Sequence, residues 1–253
     1  MLKFVSLLAG LLLAMTSLAG DRVLIVADEF PAMEFLAKEL KTQEGIESDL
    51  VAQDRMPEDL DTYRALIVYI HGTLKPGPEK AFIAYTRGGG RLVALHHSIS
   101  SGKRKNADWF PFLGIDLLPG DVDQGGYKWT EPATITCVNL APDHFITTHK
   151  VDYPSRIDYT PSDSGTGERA HPGFVLPESE VYLNHTLTEP RTLLLGLKYT
   201  DPETGKVWMQ DRAGWLKSAG QGLIVYFQPG HSLLDFQQPA YTRIVINAVV
   251  YRP

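Results

Sequence analysis

Two histidines in this chain each follow a strongly apolar run. His96 comes straight after Arg91-Leu92-Val93-Ala94-Leu95, and His231 follows Gly222-Leu223-Ile224-Val225-Tyr226-Phe227 by way of Gln228-Pro229-Gly230. An imidazole titrates near pH ~6.5, so at a strand end it can take and return a proton, and its neutral ring can bind a metal through either nitrogen. A carboxylate completes either chemistry. Glu180, just ahead of Val181-Tyr182-Leu183, is the candidate, because there it can orient a histidine or bind sugar hydroxyls. The three residues come from three distant segments, so two readings stay open: two bases with a carboxylate, or a ligand set of two histidines and one glutamate for a divalent ion such as zinc.

Lesser candidates stand around these three. His97 adjoins His96 and is expected to point elsewhere, either to substrate or into packing. Ser98 has a histidine beside it, but Ala94-Leu95-His96-His97-Ser98 is not a Gly-x-Ser-x-Gly elbow, so a substrate contact suits it better than a nucleophile. Asp143 and His144 lie together in a turn-rich stretch and read as turn residues or substrate contacts. Trp129, with Tyr127, Trp109 and Trp215, can stack on pyranose faces wherever it is not core. Cys137, the single cysteine, lies in the alternating run Ala133-Thr134-Ile135-Thr136-Cys137-Val138 and reads as a small buried strand residue. It has no disulfide partner within the chain. His71, His149, His171 and His185 lack such context and read as surface or structural.

The elements that must position these residues follow a strand, helix, strand rhythm. Continuous aliphatic runs at 22–27, 64–70 and 91–95 are typical of strands covered on both faces, with a further strand at 47–52. Helical stripes fill the intervals: Met33, Leu36, Ala37 and Leu40 in 31–43, then Phe82, Ile83 and Tyr85 in 76–87, ended by Gly88-Gly89-Gly90. Residues 106–188 break every period with Pro, Gly and Asp and read as loops and short strands. Strands are expected at 192–199, 207–210 and 222–228, with Asp201-Pro202-Glu203-Thr204-Gly205 turning a hairpin, and a closing helix at 238–251. The outcome is an α/β fold, a flavodoxin-like doubly wound and mostly parallel sheet with added antiparallel strands. Such sheets carry their sites at the carboxyl ends of the strands, where His96 and His231 fall.

The chain opens on an export signal: Lys3, an apolar core at 4–15, and Ser17-Leu18-Ala19 as a small-residue cleavage site. Residues 1–19 are therefore expected to be removed and 20–253 to form one domain, secreted or periplasmic, with no stable membrane insertion afterwards. A net charge of -6 disfavours nucleic acid as a partner. Lys103-Arg104-Lys105 is the one basic triplet and reads as a solvated loop.

Four separate stretches resemble the trehalose-utilisation (ThuA-like) family, in the family's order. They are Gly88-Gly89-Gly90 through His96; Asp143-His144-Phe145-Ile146-Thr147, with Phe145 where the family has proline; Glu180-Val181-Tyr182; and Gly220-Gln221-Gly222 through Gly230-His231. The paired glycines and histidine that the family shows between Trp109 and Trp129 are not recognisable. The resemblance implies a class I glutamine-amidotransferase-like architecture and a role in catabolism of trehalose or a keto-sugar. In amidotransferases of this architecture the elbow carries a cysteine; here His96 stands there, which removes glutamine hydrolysis through a thioester. The expected protein is an enzyme for a small-molecule sugar derivative, by hydrolysis, elimination or isomerisation, with His96, Glu180 and His231 as its acid/base or metal-binding set and His97, Ser98, Asp143, His144 and Trp129 on substrate. The rivals are a non-catalytic carbohydrate-binding module and a metal-dependent hydrolase of another substrate class. A homo-oligomer is compatible with the sequence.

Overall fold

The structure, a computed structural model, describes residues 20–162 and 167–253. The export-signal reading of 1–19 lies outside the described residues. β1 (Arg22–Ala27), β2 (Ser48–Val51), β3 (Tyr63–Tyr69) and β4 (Arg91–Leu95) alternate with α1 (Pro31–Glu44) and α2 (Pro76–Arg87). After α3 (Trp109–Leu113) and β5 (Ile115–Leu117) come β6 (Lys128–Asn139), α4 (Phe145–Thr148), β7 (Ser155–Tyr159) and β8 (Arg169–Leu183). The chain ends through β9 (His185–Leu187), β10 (Thr192–Thr200), β11 (Val207–Ala219), β12 (Gly222–Phe227), α5 (Leu233–Phe236) and α6 (Pro239–Val250).

Ten of these strands form one sheet in the order β2-β1-β3-β4-β12-β11-β10-β6-β8-β7. From β2 to β12 every pairing is parallel; from β12 to β7 every pairing is antiparallel. The parallel half has the flavodoxin-like order, with α1 packed on one face and α2 on the other. Strand residues alternate between two cores. Val23, Ile25 and Val93 pack under α1 and α6, whereas Leu24, Val26, Leu92 and Ala94 pack under α2 and α3. Both faces of the parallel half are thereby covered, which is why its strands read as unbroken apolar runs.

The antiparallel half is larger than the sequence suggested. Residues 106–188, expected as loops and short strands, contain β6 and β8 of 12 and 15 residues. Pro132 and Pro177 lie where the β6–β8 register shifts, while Pro172 and Gly173 sit in regular register toward the start of β8, so these residues mask the alternation without ending the strand. Val207–Ala219 likewise outruns the short strand expected at 207–210.

The basic triplet also departs from expectation. Lys103 is 1% exposed, and its ammonium donates to the carbonyl oxygens of Ile70 (2.9 Å), His71 (3.0 Å) and Gly72 (2.7 Å). It is a clamp on the loop after β3, not a solvated charge. Asp28, just past β1, grips the same loop from its amide side, accepting from His71 N and Gly72 N at 2.7 and 2.8 Å.

Candidate functional site

β4 delivers His96 into a 3-10 turn spanning His96–Ile99, and His96 itself takes a positive φ of 34°. A non-glycine residue in that region is strained, and strain of this kind gathers at functional sites. Tyr226 on the neighbouring β12 donates to the His96 carbonyl at 3.1 Å and holds the turn. Its sharpness has a consequence that the sequence reading missed. His97 does not diverge from His96: the two rings lie 4.3 Å apart edge to face and serve one centre.

β12 delivers His231 through Gly230, whose φ of 119° suits glycine alone, since a Cβ there would lie 3.0 Å from the Phe236 ring. Asp235 fixes this loop by accepting from Gly230 N (3.0 Å) and His231 N (2.8 Å), and Ser179 on β8 donates to the same carboxylate oxygen at 2.6 Å. Glu180 follows Ser179. Three elements thus converge through one buried aspartate.

The Oε2 atom of Glu180 is the meeting point. It lies 2.8 Å from His96 Nε2, 3.4 Å from His97 Nε2 and 3.3 Å from His231 Nδ1, and accepts from the Tyr182 hydroxyl at 3.0 Å. The four ligand-bearing side chains present atoms all within 4.8 Å of one another. His96, His97 and Glu180 are buried, and His231 is half-buried. Outer partners orient the rings: His96 Nδ1 donates to the Gln228 carbonyl, and His231 Nε2 lies 3.1 Å from Glu131. Burial would raise the Glu180 pKa, but its contacts with His231, His96 and His97 outweigh that and hold it far below the carboxylate range. Burial lowers the His97 pKa to about 3, against the pull of Glu180. The contact with Glu180 raises that of His231, against burial.

A cleft of about 270 Å³ opens onto this cluster, walled by His71, Tyr127, Trp129, Glu131 and Tyr182 among others. His71 stacks on His97 with centroids 4.0 Å apart. A larger cavity, about 660 Å³, lies away from it beside Asp59, Tyr63 and the glycines 88–90 at the amino ends of β3 and β4, where no histidine gathers.

His96, Glu180 and His231 are therefore brought together, with His97 beside them and Trp129 on the cleft wall. Ser98, Asp143 and His144 are not. Ser98 is buried with its hydroxyl 3.4 Å from the Val68 carbonyl, and its own carbonyl accepts from Trp109. Asp143 is exposed, and His144 caps α4 by accepting from Ile146 N at 3.1 Å. Trp109 and Trp215 are wholly buried core residues. Sequence reasoning missed Glu131 and Asp235; a carboxylate beside Pro132 and one four residues after His231 were the only signals.

The molecule so defined is a doubly wound α/β protein with a buried histidine–carboxylate cluster at the carboxyl edge of its sheet. The chain belongs to the trehalose-utilisation (ThuA) family, whose pattern matches residues 22–252. Among solved structures it is similar to a ThuA-like protein of Bacteroides uniformis ATCC 8492, with 18% identity, a TM-score of 0.60, and coverage of 91% of this chain and 90% of that one. It is also similar to a ThuA-like protein of Parabacteroides merdae ATCC 43184, with 12% identity, a TM-score of 0.61, and coverage of 90% and 88%. A carbohydrate deacetylase, Agd3, shares the fold over 89% of this chain and 32% of its own length, with 12% identity and a TM-score of 0.52. No curated protein matches.

Proposed function

We propose that this chain is a sugar-directed enzyme whose reactive centre is a divalent metal ion held by His96, His97, His231 and Glu180. The observation that carries the reading is the convergence of three imidazole nitrogens on one carboxylate oxygen. In a tetrahedral shell with metal–nitrogen distances of ~2.0–2.1 Å, ligand atoms lie roughly 3.3–3.4 Å apart. The contacts of Glu180 with His231 and His97, at 3.3 and 3.4 Å, have that spacing. The outer partners point the same way: with Nδ1 of His96 donating to Gln228 and Nε2 of His231 turned to Glu131, each ring keeps its other nitrogen for the centre. Three imidazoles and one carboxylate suit zinc or a neighbouring transition ion. Such an ion, if one of the four side chains yields its place or the shell expands to admit a fifth ligand, would polarise a substrate oxygen or activate water.

The family's description, trehalose utilisation, and the aromatic wall of the cleft support a sugar as substrate. The 2.8 Å contact between His96 and Glu180 supports a second reading, a metal-free acid/base pair. Elemental analysis of the purified chain after growth in zinc-, manganese- or iron-supplemented medium separates the two. About one equivalent per chain is expected, lost in His96→Ala and His231→Ala. A folded, active chain that takes up no metal leaves the acid/base pair standing. Turnover is sought with disaccharides and their keto derivatives, with and without added zinc. We further propose export after cleavage at Ala19, on the strength of Lys3 and the apolar run behind it. Mass spectrometry of the amino terminus from the native host tests it, and an intact terminus in the cytoplasmic fraction speaks against it.

A further inference from the structure

We propose that the cleft beside the histidine cluster is a subsite for one uncharged sugar ring, stacked on the indole of Trp129 with its hydroxyl edge turned to Glu131 and the cluster. The inference rests on the sugar-directed part of the reading above and not on the metal.

Trp129 carries the argument. It is 52% exposed, whereas Trp109 and Trp215 are wholly buried, so this indole is not doing the packing work of its fellows. A large aromatic left open on the wall of a cavity is the surface that the C–H face of a pyranose covers, because that face is apolar while the ring edge is hydroxylated. The ladder explains how it arrives there. Trp129 on β6 pairs with Tyr182 on β8, and side chains on a strand alternate, so Trp129 and Glu131 share one face with Tyr182 and Glu180. The same two strands therefore present an aromatic platform and two carboxylates side by side, as recognition of a ring with one apolar and one polar aspect requires.

Three further observations narrow the ligand. The hydroxyl of Tyr127 and Nδ1 of His97 lack hydrogen-bond partners on side chains that line the cleft, so a small rotation of either ring would offer an unsatisfied polar group to a ligand hydroxyl. The cleft's volume of about 270 Å³ falls just under the ~300–1,000 Å³ of sites for drug-sized ligands, which matches one ring rather than an extended chain. Among the described residues lining it there is no lysine or arginine, the groups that bind phosphate and carboxylate, while Glu131 and Glu180 are both present. A neutral sugar is admitted and a sugar phosphate is disfavoured.

Calorimetric titration of the full chain with methyl α-D-glucopyranoside, trehalose and glucose 6-phosphate tests the proposal. At least one neutral sugar should bind, more tightly than the phosphate. Trp129→Ala should weaken that binding by ~10-fold, the equivalent of an aromatic contact of ~1.4 kcal/mol, while Trp129→Phe, which keeps a flat ring, should stay within about threefold. Trp129→Ala binding as wild type, tighter binding of the phosphate, or no neutral sugar bound at tens of millimolar by a folded chain would each overturn it. Elemental analysis of the same samples keeps the two readings apart. Trp129-dependent sugar binding by a metal-free chain sinks the metal centre alone, sugar binding that ignores Trp129 sinks the subsite alone, and a metal-loaded chain blind to sugars sinks the subsite together with the sugar-directed part of the reading.

Discussion

One oxygen of Glu180 meets three imidazoles and a tyrosine hydroxyl. A buried carboxylate ordinarily resists ionisation, yet burial is overruled here by His231, His96 and His97, so Glu180 is an anion throughout the pH range of ordinary assays. His97, pushed down to about 3 chiefly by burial, is neutral over the same range and keeps a lone pair for a ligand role. Glu180→Gln keeps the shape and removes the charge; metal affinity is expected to fall by ~100-fold, and Glu131→Gln, one shell further out, by ~10-fold or more, as read by competition with a chromogenic chelator. Equal affinities in wild type and both variants would mean that neither carboxylate tunes a metal. Cys137 is the contrasting residue: it is wholly buried and burial drives its thiol upward, so a thiol alkylator should leave turnover intact while Cys137→Ser costs ~1–3 kcal/mol of stability for an unpartnered hydroxyl. Strand-end position made His96 and His231 legible in the sequence, and the family motif added Glu180. His97 was misread because nothing in the residue string announces a φ of 34° at His96, and it is that turn which folds two successive side chains onto one point.

At the scale of elements, the centre depends on loops held by buried charges. Lys103 donates to three carbonyls of the loop after β3, and Asp28 accepts from its amides, so the loop that carries His71 against His97 is gripped on both sides. Burial lowers the Lys103 pKa to about 8, which still leaves an ammonium at neutral pH. Lys103→Met removes the donor and orphans several buried acceptors; a loss of ~2–3 kcal/mol in denaturant unfolding is expected, since unsatisfied buried groups cost ~1–3 kcal/mol. Lys105→Ala, which removes an exposed ammonium bonded to the Thr73 hydroxyl, should stay within ~0.5 kcal/mol of wild type. Comparable effects from the two would show that the clamp is not what orders the loop. The same contrast shows where sequence patterns stop: Lys103 and Lys105 belong to one basic run, and only the packing of the turn at Ser101–Lys105 buries one and exposes the other. The parallel strands, covered on both faces, announced themselves as apolar runs. β6 and β8 did not, because Pro132, Pro172 and Pro177 break the residue pattern, two of them where the register between the strands shifts.

Across the whole molecule the cluster joins two unlike halves of one sheet. His96 and His231 issue from the carboxyl ends of β4 and β12 in the parallel half, and Glu180 comes from β8, four strands beyond β12 in the antiparallel half. A ligand bound by all of them stabilises the contact between the halves, and because it binds the folded chain alone it shifts the unfolding equilibrium by mass action. At a free ion concentration about 100 times the dissociation constant the gain is ~2.7 kcal/mol. For a domain of this size each kcal/mol moves Tm by ~2–4 °C, so removing the ion should lower Tm by roughly 5–10 °C. Differential scanning calorimetry before and after chelation measures this, and re-addition of the ion should restore the original value. The apolar cluster under α1 and α6 runs without a break from Val23 and Ile25 on β1 to Phe174 and Val181 on β8, so the two halves share one core and should melt in a single transition with or without the ion. Two separated transitions after chelation would show that the ion, and not the shared core, makes the sheet one cooperative unit. An unchanged Tm on stripping one full equivalent would place the bound ion elsewhere on the surface, away from the residues that bridge the halves.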